Sequence, residues 1–226
     1  MKSSLRLAWT EVVTADDYDE HMAAIGQAQA AAALTAEIIR AAGLSPNSRI
    51  VVVGAGTGQM FDFVDPALFR PFQLTCTDLN PTFLARLKER LAQHALRALI
   101  VADDIENTAL PRAPNLLFAT LVLEHIDWRK GVEAIATLGP AACGITIQEN
   151  PTGMTSAVTP GRRIPASVAA AFHIAQPELV PHRELLSAFE VRGYRCASTC
   201  AREVADGKRL VSTLFVAQNP LITASA

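Results

Sequence analysis

Three clusters of residues stand at the ends of short apolar runs, where side chains and backbone together could hold a nucleoside. The first is Gly54-Ala55-Gly56-Thr57-Gly58-Gln59, directly after the β-branched run 50–53. Its glycines permit a turn that no Cβ would allow and let a ligand come close to the backbone. Backbone N–H groups of a helix start beyond it would be open to an anionic group. The spacing is GxGxG; a dinucleotide fingerprint would need its third glycine at position 59, which is Gln59. The second cluster is Asp78, with Leu79 beside it, at the end of the next apolar run. A carboxylate there can accept both hydroxyls of a ribose. The third is Asp103-Asp104-Ile105. One carboxylate can accept from an exocyclic adenine amine, and the following N–H can donate to the ring. Asp104 is better placed than Asp103 because it directly precedes apolar Ile105. Each residue also has an ordinary use, as a tight turn, a turn residue before Asn80-Pro81, or a helix cap.

Further along, Glu124 and His125 follow a fourth apolar run, and Glu149 follows a fifth. His125 and Glu149 are the candidate catalytic bases, His125 on account of its ordinary pKa near 6.5. Geometry must decide whether either acts. Arg162-Arg163 would meet an acidic substrate through bidentate contacts or stand as a solvated surface pair. Phe172 and His173 lie on a short apolar stretch that would line a pocket or simply pack.

The elements that must position these residues follow from periodicity. Residues 16–42 read as one helix, with Asp16 or Asp17 as N-cap and Gly43 as its stop. Strands are expected at 50–53, 72–77, 96–101, 116–123 and 143–148, and helices at 81–93 (capped by Asn80, Pro81 first) and 128–138. This alternation predicts an α/β, Rossmann-like doubly wound sheet, mostly parallel, with helices on both faces. Beyond Asn150 the alternation breaks. Helices are expected at 167–175 and 182–192, and strands at 194–204 and 209–217 joined through Asp206-Gly207 form a closing antiparallel hairpin.

With these pieces in order, the chain resembles the class I S-adenosylmethionine-dependent methyltransferases of the small-molecule type. The resemblance rests on VVVGAGTGQ at 51–59, TDLNP at 77–81, ADDIENTALP at 102–111 and ATLVLEHI at 119–126. Leu138-Gly139-Pro140 departs from the usual Pro-Gly-Gly. The resemblance implies a seven-stranded sheet whose last strand is antiparallel, and S-adenosylmethionine as cofactor. It implies that Gly54, Gly56 and Gly58 line the methionine moiety, that Asp78 holds the ribose with Leu79 also touching the cofactor, that Asp104 and Ile105 hold adenine, and that Leu121 or Val122 flanks the cofactor. An N-terminal helix would close over it, making Tyr18, His21 and Met22 lid candidates; all three would serve equally as packing residues. The reaction implied is in-line methyl transfer to a small-molecule acceptor. The residues leave open a nucleotide-dependent oxidoreductase, which would give Asp103-Asp104 no role, and a non-catalytic S-adenosylmethionine-binding protein.

The chain has 226 residues and a formal net charge of -2, the size of one larger α/β domain without a broadly basic surface. One domain is expected: a lid over 1–45, a cofactor half over 46–150, and an acceptor-side insertion with the closing hairpin over 151–226. No nucleic-acid or membrane partner is expected. The four cysteines, Cys76, Cys143, Cys196 and Cys200, show no metal-ligand spacing. They read as buried thiols, and with no signal-peptide pattern at the start a cytoplasmic setting is expected.

Overall fold

A computed structural model describes residues 7–155, 164–174 and 177–218. Seven strands form one sheet in the order β3-β2-β1-β4-β5-β7-β6. They are β1 (Arg49–Val53), β2 (Gln73–Asp78), β3 (Ala98–Ala102), β4 (Leu116–Thr120), β5 (Ala142–Glu149), β6 (Tyr194–Glu203) and β7 (Arg209–Ala217). β7 runs antiparallel to both β5 and β6, while β1 to β5 pair in parallel. The expected fold class is therefore the observed one, down to the hairpin that slots its second strand between β5 and β6.

The period of two along β1 divides the core. Val51 and Val53 pack into one layer, with Val132 and Ile135 of α4 (Trp128–Leu138) and Leu185 and Phe189 of α6 (His182–Glu190). Ile50 and Val52 pack into the other, with Ile38 and Ile39 of α2 (Gln27–Ala42) and Leu87 and Leu91 of α3 (Pro81–Gln93). Both faces of the strand are buried, which is why it reads as an unbroken apolar run. β1 lies between β2 and β4, so the chain leaves its carboxyl end where the strand order reverses. A crevice opens there.

Several local expectations change. The helix expected over 16–42 is two helices, α1 (Ala15–Ile25) and α2, bent by 77°. Gly26 sits between them at φ 71°, ψ 14°, a left-handed conformation in which an α-helix cannot continue. Thr14, not Asp16 or Asp17, is the N-cap, its side chain accepting from the Asp17 N–H. The bend matters for the site: α2 packs on the sheet, while α1 carries Tyr18, His21 and Met22 across the crevice. β4 stops at Thr120, three residues early, because Leu121 turns to φ 55°. Asn80 caps α3 as expected, accepting from the N–H groups of Thr82 and Phe83. α5 (Ala166–Ile174) matches the short apolar helix. Arg162 and Arg163 lie outside the described residues. Cys76 and Cys143 are buried, but Cys196 is exposed and Cys200 half-buried. Both lie on β6, an edge strand with one unpaired side, so the expectation of four buried thiols fails there. Among the described residues, no single helix is long and apolar enough to cross a membrane.

Candidate functional site

The turn after β1 passes through three left-handed glycines, Gly54 (φ 59°), Gly56 (φ 58°) and Gly58 (φ 74°). Gly54 and Gly58 have a steric reason as well. A Cβ on Gly54 would stand 2.5 Å from Val122 Cγ2, and one on Gly58 2.3 Å from Leu87 Cδ1. The turn leads into a short 3-10 segment, Gln59–Asp62, rather than a long helix, so few aligned N–H groups are offered to an anion. Neighbours brace it instead. The Ala55 N–H donates to the Thr77 carbonyl at 2.8 Å, and the Gly56 N–H to Asp78 Oδ2 at 2.9 Å. Asp78 Oδ1 accepts from the Asn80 N–H, also at 2.9 Å. Burial raises the Asp78 pKa, opposed by N–H donors from Asn80, Gly56 and Leu79.

Asp103 and Asp104 both line the crevice, after β3. Asp104 caps the 3-10 turn Ile105–Asn107 through the Glu106 N–H, so its capping and lining places coincide. Asp103 Oδ1 accepts from the Ala109 N–H, while its Oδ2 is buried with no hydrogen-bond partner among the described residues. Leu121 holds a positive φ in the wall of the cavity, pinned by its N–H to the Thr146 carbonyl at 2.9 Å. Backbone strain of about 1–3 kcal/mol at a branched residue persists only where the surroundings enforce it.

α1 closes one side. The Tyr18 ring lies where a Cβ on Gly56 would point, at 3.4 Å, and packs on Phe83 with centroids 4.9 Å apart. Burial, then the charges of Asp78 and Asp19, raise the Tyr18 pKa, so its hydroxyl stays protonated. Asp19, one residue on, latches the helix to the glycine turn. It accepts from Thr57 Oγ1 at 2.5 Å and from Arg90 at 2.9 Å, and its backbone carbonyl accepts from Gln59. Arg90 also donates to the Thr57 carbonyl at 2.6 Å. Asp19→Ala is expected to lower the unfolding free energy by about 1–3 kcal/mol, because it strands the buried Thr57 hydroxyl and removes one of two carboxylates paired with Arg90, which keeps Asp62 and the Thr57 carbonyl. Urea denaturation checks this; an unchanged midpoint would show that the latch carries no load.

The same cavity continues past the glycine turn toward Glu124, His125, Gln148 and Phe172. Glu124 is 4% exposed; its Oε1 accepts from the Gln148 N–H at 2.8 Å. Burial lifts its carboxyl to about 7, against that N–H and its own. Burial pushes the His125 ring down to about 4, which keeps it neutral. Gln27 donates to Gln148, and Gln148 to Asn150, a buried amide chain at the floor. Asp206 and Lys208 of the hairpin border the opposite rim.

Of the expected site residues, Gly54, Gly56, Asp78, Leu79, Asp104, Ile105, Leu121, Tyr18, Met22 and His125 line this one cavity. Gly58 stands behind it, as a packing glycine. Glu149 does not line it; Arg209 grips its carboxylate at 2.6 Å and 2.8 Å. That placement speaks against Glu149 as a base. β5 points alternate side chains to opposite faces, and it is Gln148 that faces the cavity. Asp19, Trp9, Gln27 and Gln148 escaped the sequence reading because none belongs to a motif. Among the described residues, no group of three or more His, Cys, Asp or Glu side chains is placed to hold a metal ion.

Residues 50–139 match a family model described as a methyltransferase domain. Solved structures share the fold at low identity. Magnesium protoporphyrin IX methyltransferase from Synechocystis PCC 6803, with bound S-adenosylhomocysteine, is 11% identical at a TM-score of 0.65, over 85% of this chain and 83% of that one. A [4+2]-cyclase, SpnF, is 13% identical at 0.64, over 83% and 80%. An S-adenosylmethionine-dependent methyltransferase from Clostridium acetobutylicum is 11% identical at 0.59, over 83% and 91%. No curated protein matches by sequence. Residues 50–139 therefore match a methyltransferase domain, and the seven-stranded sheet around them has the fold of these solved structures.

Proposed function

We propose that this protein transfers the methyl group of S-adenosylmethionine to a small-molecule acceptor and releases S-adenosylhomocysteine. One observation carries the reading: a single cavity is lined both by the glycine turn with Asp78 and by Trp9, Glu124 and Phe172. A cofactor and an acceptor would share one space there, as a two-substrate displacement requires.

The residues fit the cofactor. A carboxylate offers about four acceptor positions, and the N–H groups of Gly56, Asn80 and Leu79 leave Asp78 a lone pair for the ribose. Asp104 and Ile105 would hold adenine, and the unpartnered Asp103 Oδ2 would accept from the exocyclic amine beside them. Gly54 and Gly56 would lie along the methionine moiety, with Leu121 and Leu79 flanking and Tyr18 and Met22 covering. When bound, the cofactor supplies a methyl carbon already activated by a sulfonium. The chain's own work is then to align the acceptor and to exclude water. The positive-φ backbone at Leu121 would fix part of the cavity wall, and Tyr18, His21 and Met22 of α1 would cover one side. A small acceptor suits the apolar lining that α1 and α5 supply through Met22, Ile25, Val168 and Phe172.

Calorimetry with S-adenosylmethionine, S-adenosylhomocysteine and NAD(H) tests the reading. Binding of the first two and not of NAD(H) is expected; preference for NAD(H) would sink it. Release of S-adenosylhomocysteine over a panel of small acceptors then separates an enzyme from a binder.

A further inference from the structure

Three polar atoms on the acceptor side have no hydrogen-bond partner among the described residues: Glu124 Oε2, His125 Nδ1 and Trp9 Nε1. All three side chains line the cavity. Folded proteins leave few such atoms, and a cluster of them in a cavity wall asks for a ligand. Their surroundings define its body. Trp9 meets His125 with ring centroids 4.5 Å apart and Phe172 at 6.4 Å, and Phe172 meets His21 at 5.8 Å. Ile126, Ile164 and Val168 complete the wall. Ring edges and branched carbons favour a flat apolar molecule and disfavour a strongly hydrated one.

The polar atoms define its reacting group. Glu124 is held from two sides, through Oε1 by the Gln148 N–H and through its backbone carbonyl by the Glu178 N–H at 3.0 Å. One carboxylate oxygen is left over, fixed in place. Trp9 Nε1 is a donor only and needs a lone pair. A hydroxyl oxygen carries what both ask for: it can give its proton to a carboxylate, attack with one lone pair, and keep the second for the indole. An amine nitrogen has a single lone pair and would spend it in the attack.

Resting on the methyl-transfer reading above, we propose that the acceptor is a hydroxylated aromatic molecule and that Glu124 takes its hydroxyl proton as the oxygen is methylated. The acceptor oxygen forms a bond to the methyl carbon. The carbon–sulfur bond breaks, its electron pair staying on sulfur as a neutral thioether, and the O–H proton passes to Glu124 Oε2. The sulfonium charge and the carboxylate charge vanish together, so no net charge is left in the buried chamber. Burial makes Glu124 a stronger base than an ordinary glutamate, and makes His125 a weaker one than an ordinary histidine. Glu124, one residue from the position expected from sequence, is thus the better proton acceptor.

The probes are 2-naphthol and naphthalene, titrated by calorimetry into protein saturated with S-adenosylhomocysteine. 2-Naphthol is expected to bind at least about 10-fold more tightly, the effect of a hydrogen bond to a charged group. Glu124→Leu, close in volume, is expected to remove most of that preference. Glu124→Gln is expected to slow 2-naphthol methylation about 100-fold, the usual share of a general base. If S-adenosylhomocysteine itself does not bind, the methyl-transfer reading fails. If it binds and 2-naphthol shows no preference over naphthalene, or Glu124→Gln methylates undiminished, this proposal alone is overturned. The wild-type comparison needs no variant, so misfolding of Glu124→Leu would not shelter the idea.

Discussion

Asp78→Ala is expected to weaken S-adenosylmethionine binding by at least about 1–3 kcal/mol, roughly 5- to 150-fold in Kd. The effect has two sources in the structure. The carboxylate would lose the ribose hydroxyls, and it would release the N–H groups of Gly56 and Asn80 that it now accepts at 2.9 Å. The Gly56 bond shapes the glycine turn, so the variant would disturb the proposed methionine end of the site as well as the proposed ribose end. Calorimetry on the folded variant measures the loss, and its melting curve reports the turn separately. Full affinity in a folded Asp78→Ala protein would remove Asp78 from the cofactor site.

The second large effect falls on stability. Gly58→Ala combines two penalties: a left-handed backbone at φ 74°, and a Cβ 2.3 Å from Leu87 Cδ1, a side chain with no exposed surface. The backbone term costs about 1–2 kcal/mol and overpacking about 1–3 kcal/mol, so a loss of about 2–5 kcal/mol is expected in urea denaturation. Gly26→Ala isolates the first term. Its φ is 71°, yet nothing lies within 4 Å of the added carbon. It should therefore cost only the backbone share. Equal losses at the two sites would mean that Leu87 yields freely, and that Gly58 is needed for its conformation alone.

These variants bear on how much of the molecule was legible from its residues. The central strands β1, β4 and β5 were, because burial on both faces demands unbroken apolar runs. The left-handed glycines, the Asn80-Pro81 helix start and Asp78 were legible too, since each answers a local constraint of backbone or capping. Periodicity did not reveal the break at Gly26: alanine-rich sequence on both sides supports helix, and a glycine within it signals a turn only when tertiary contacts choose one. Here those contacts are the latch of Asp19 on Thr57 and Arg90, and the Ser167 N–H donating to Asp17 at 2.9 Å. They join residues far apart in the chain.

The same distinction separates the two halves of the site. Residues that bind through the backbone near a strand end are set by neighbours in sequence. The glycine turn, Asp78, the acids after β3 and the α/β sheet that presents them were therefore all readable from the chain alone. The proposed acceptor side is lined by Trp9, His21, Glu124, Gln148 and Phe172, which lie on five separate segments. No spacing rule relates them. Packing across the fold turns Gln148 inward and Glu149 out to Arg209, and it buries Glu124 and His125 so that their proton affinities move in opposite directions. The physical reason is common to both cases: burial and hydrogen-bond partners from distant segments set the chemistry of a side chain, and neither is written in its immediate neighbours.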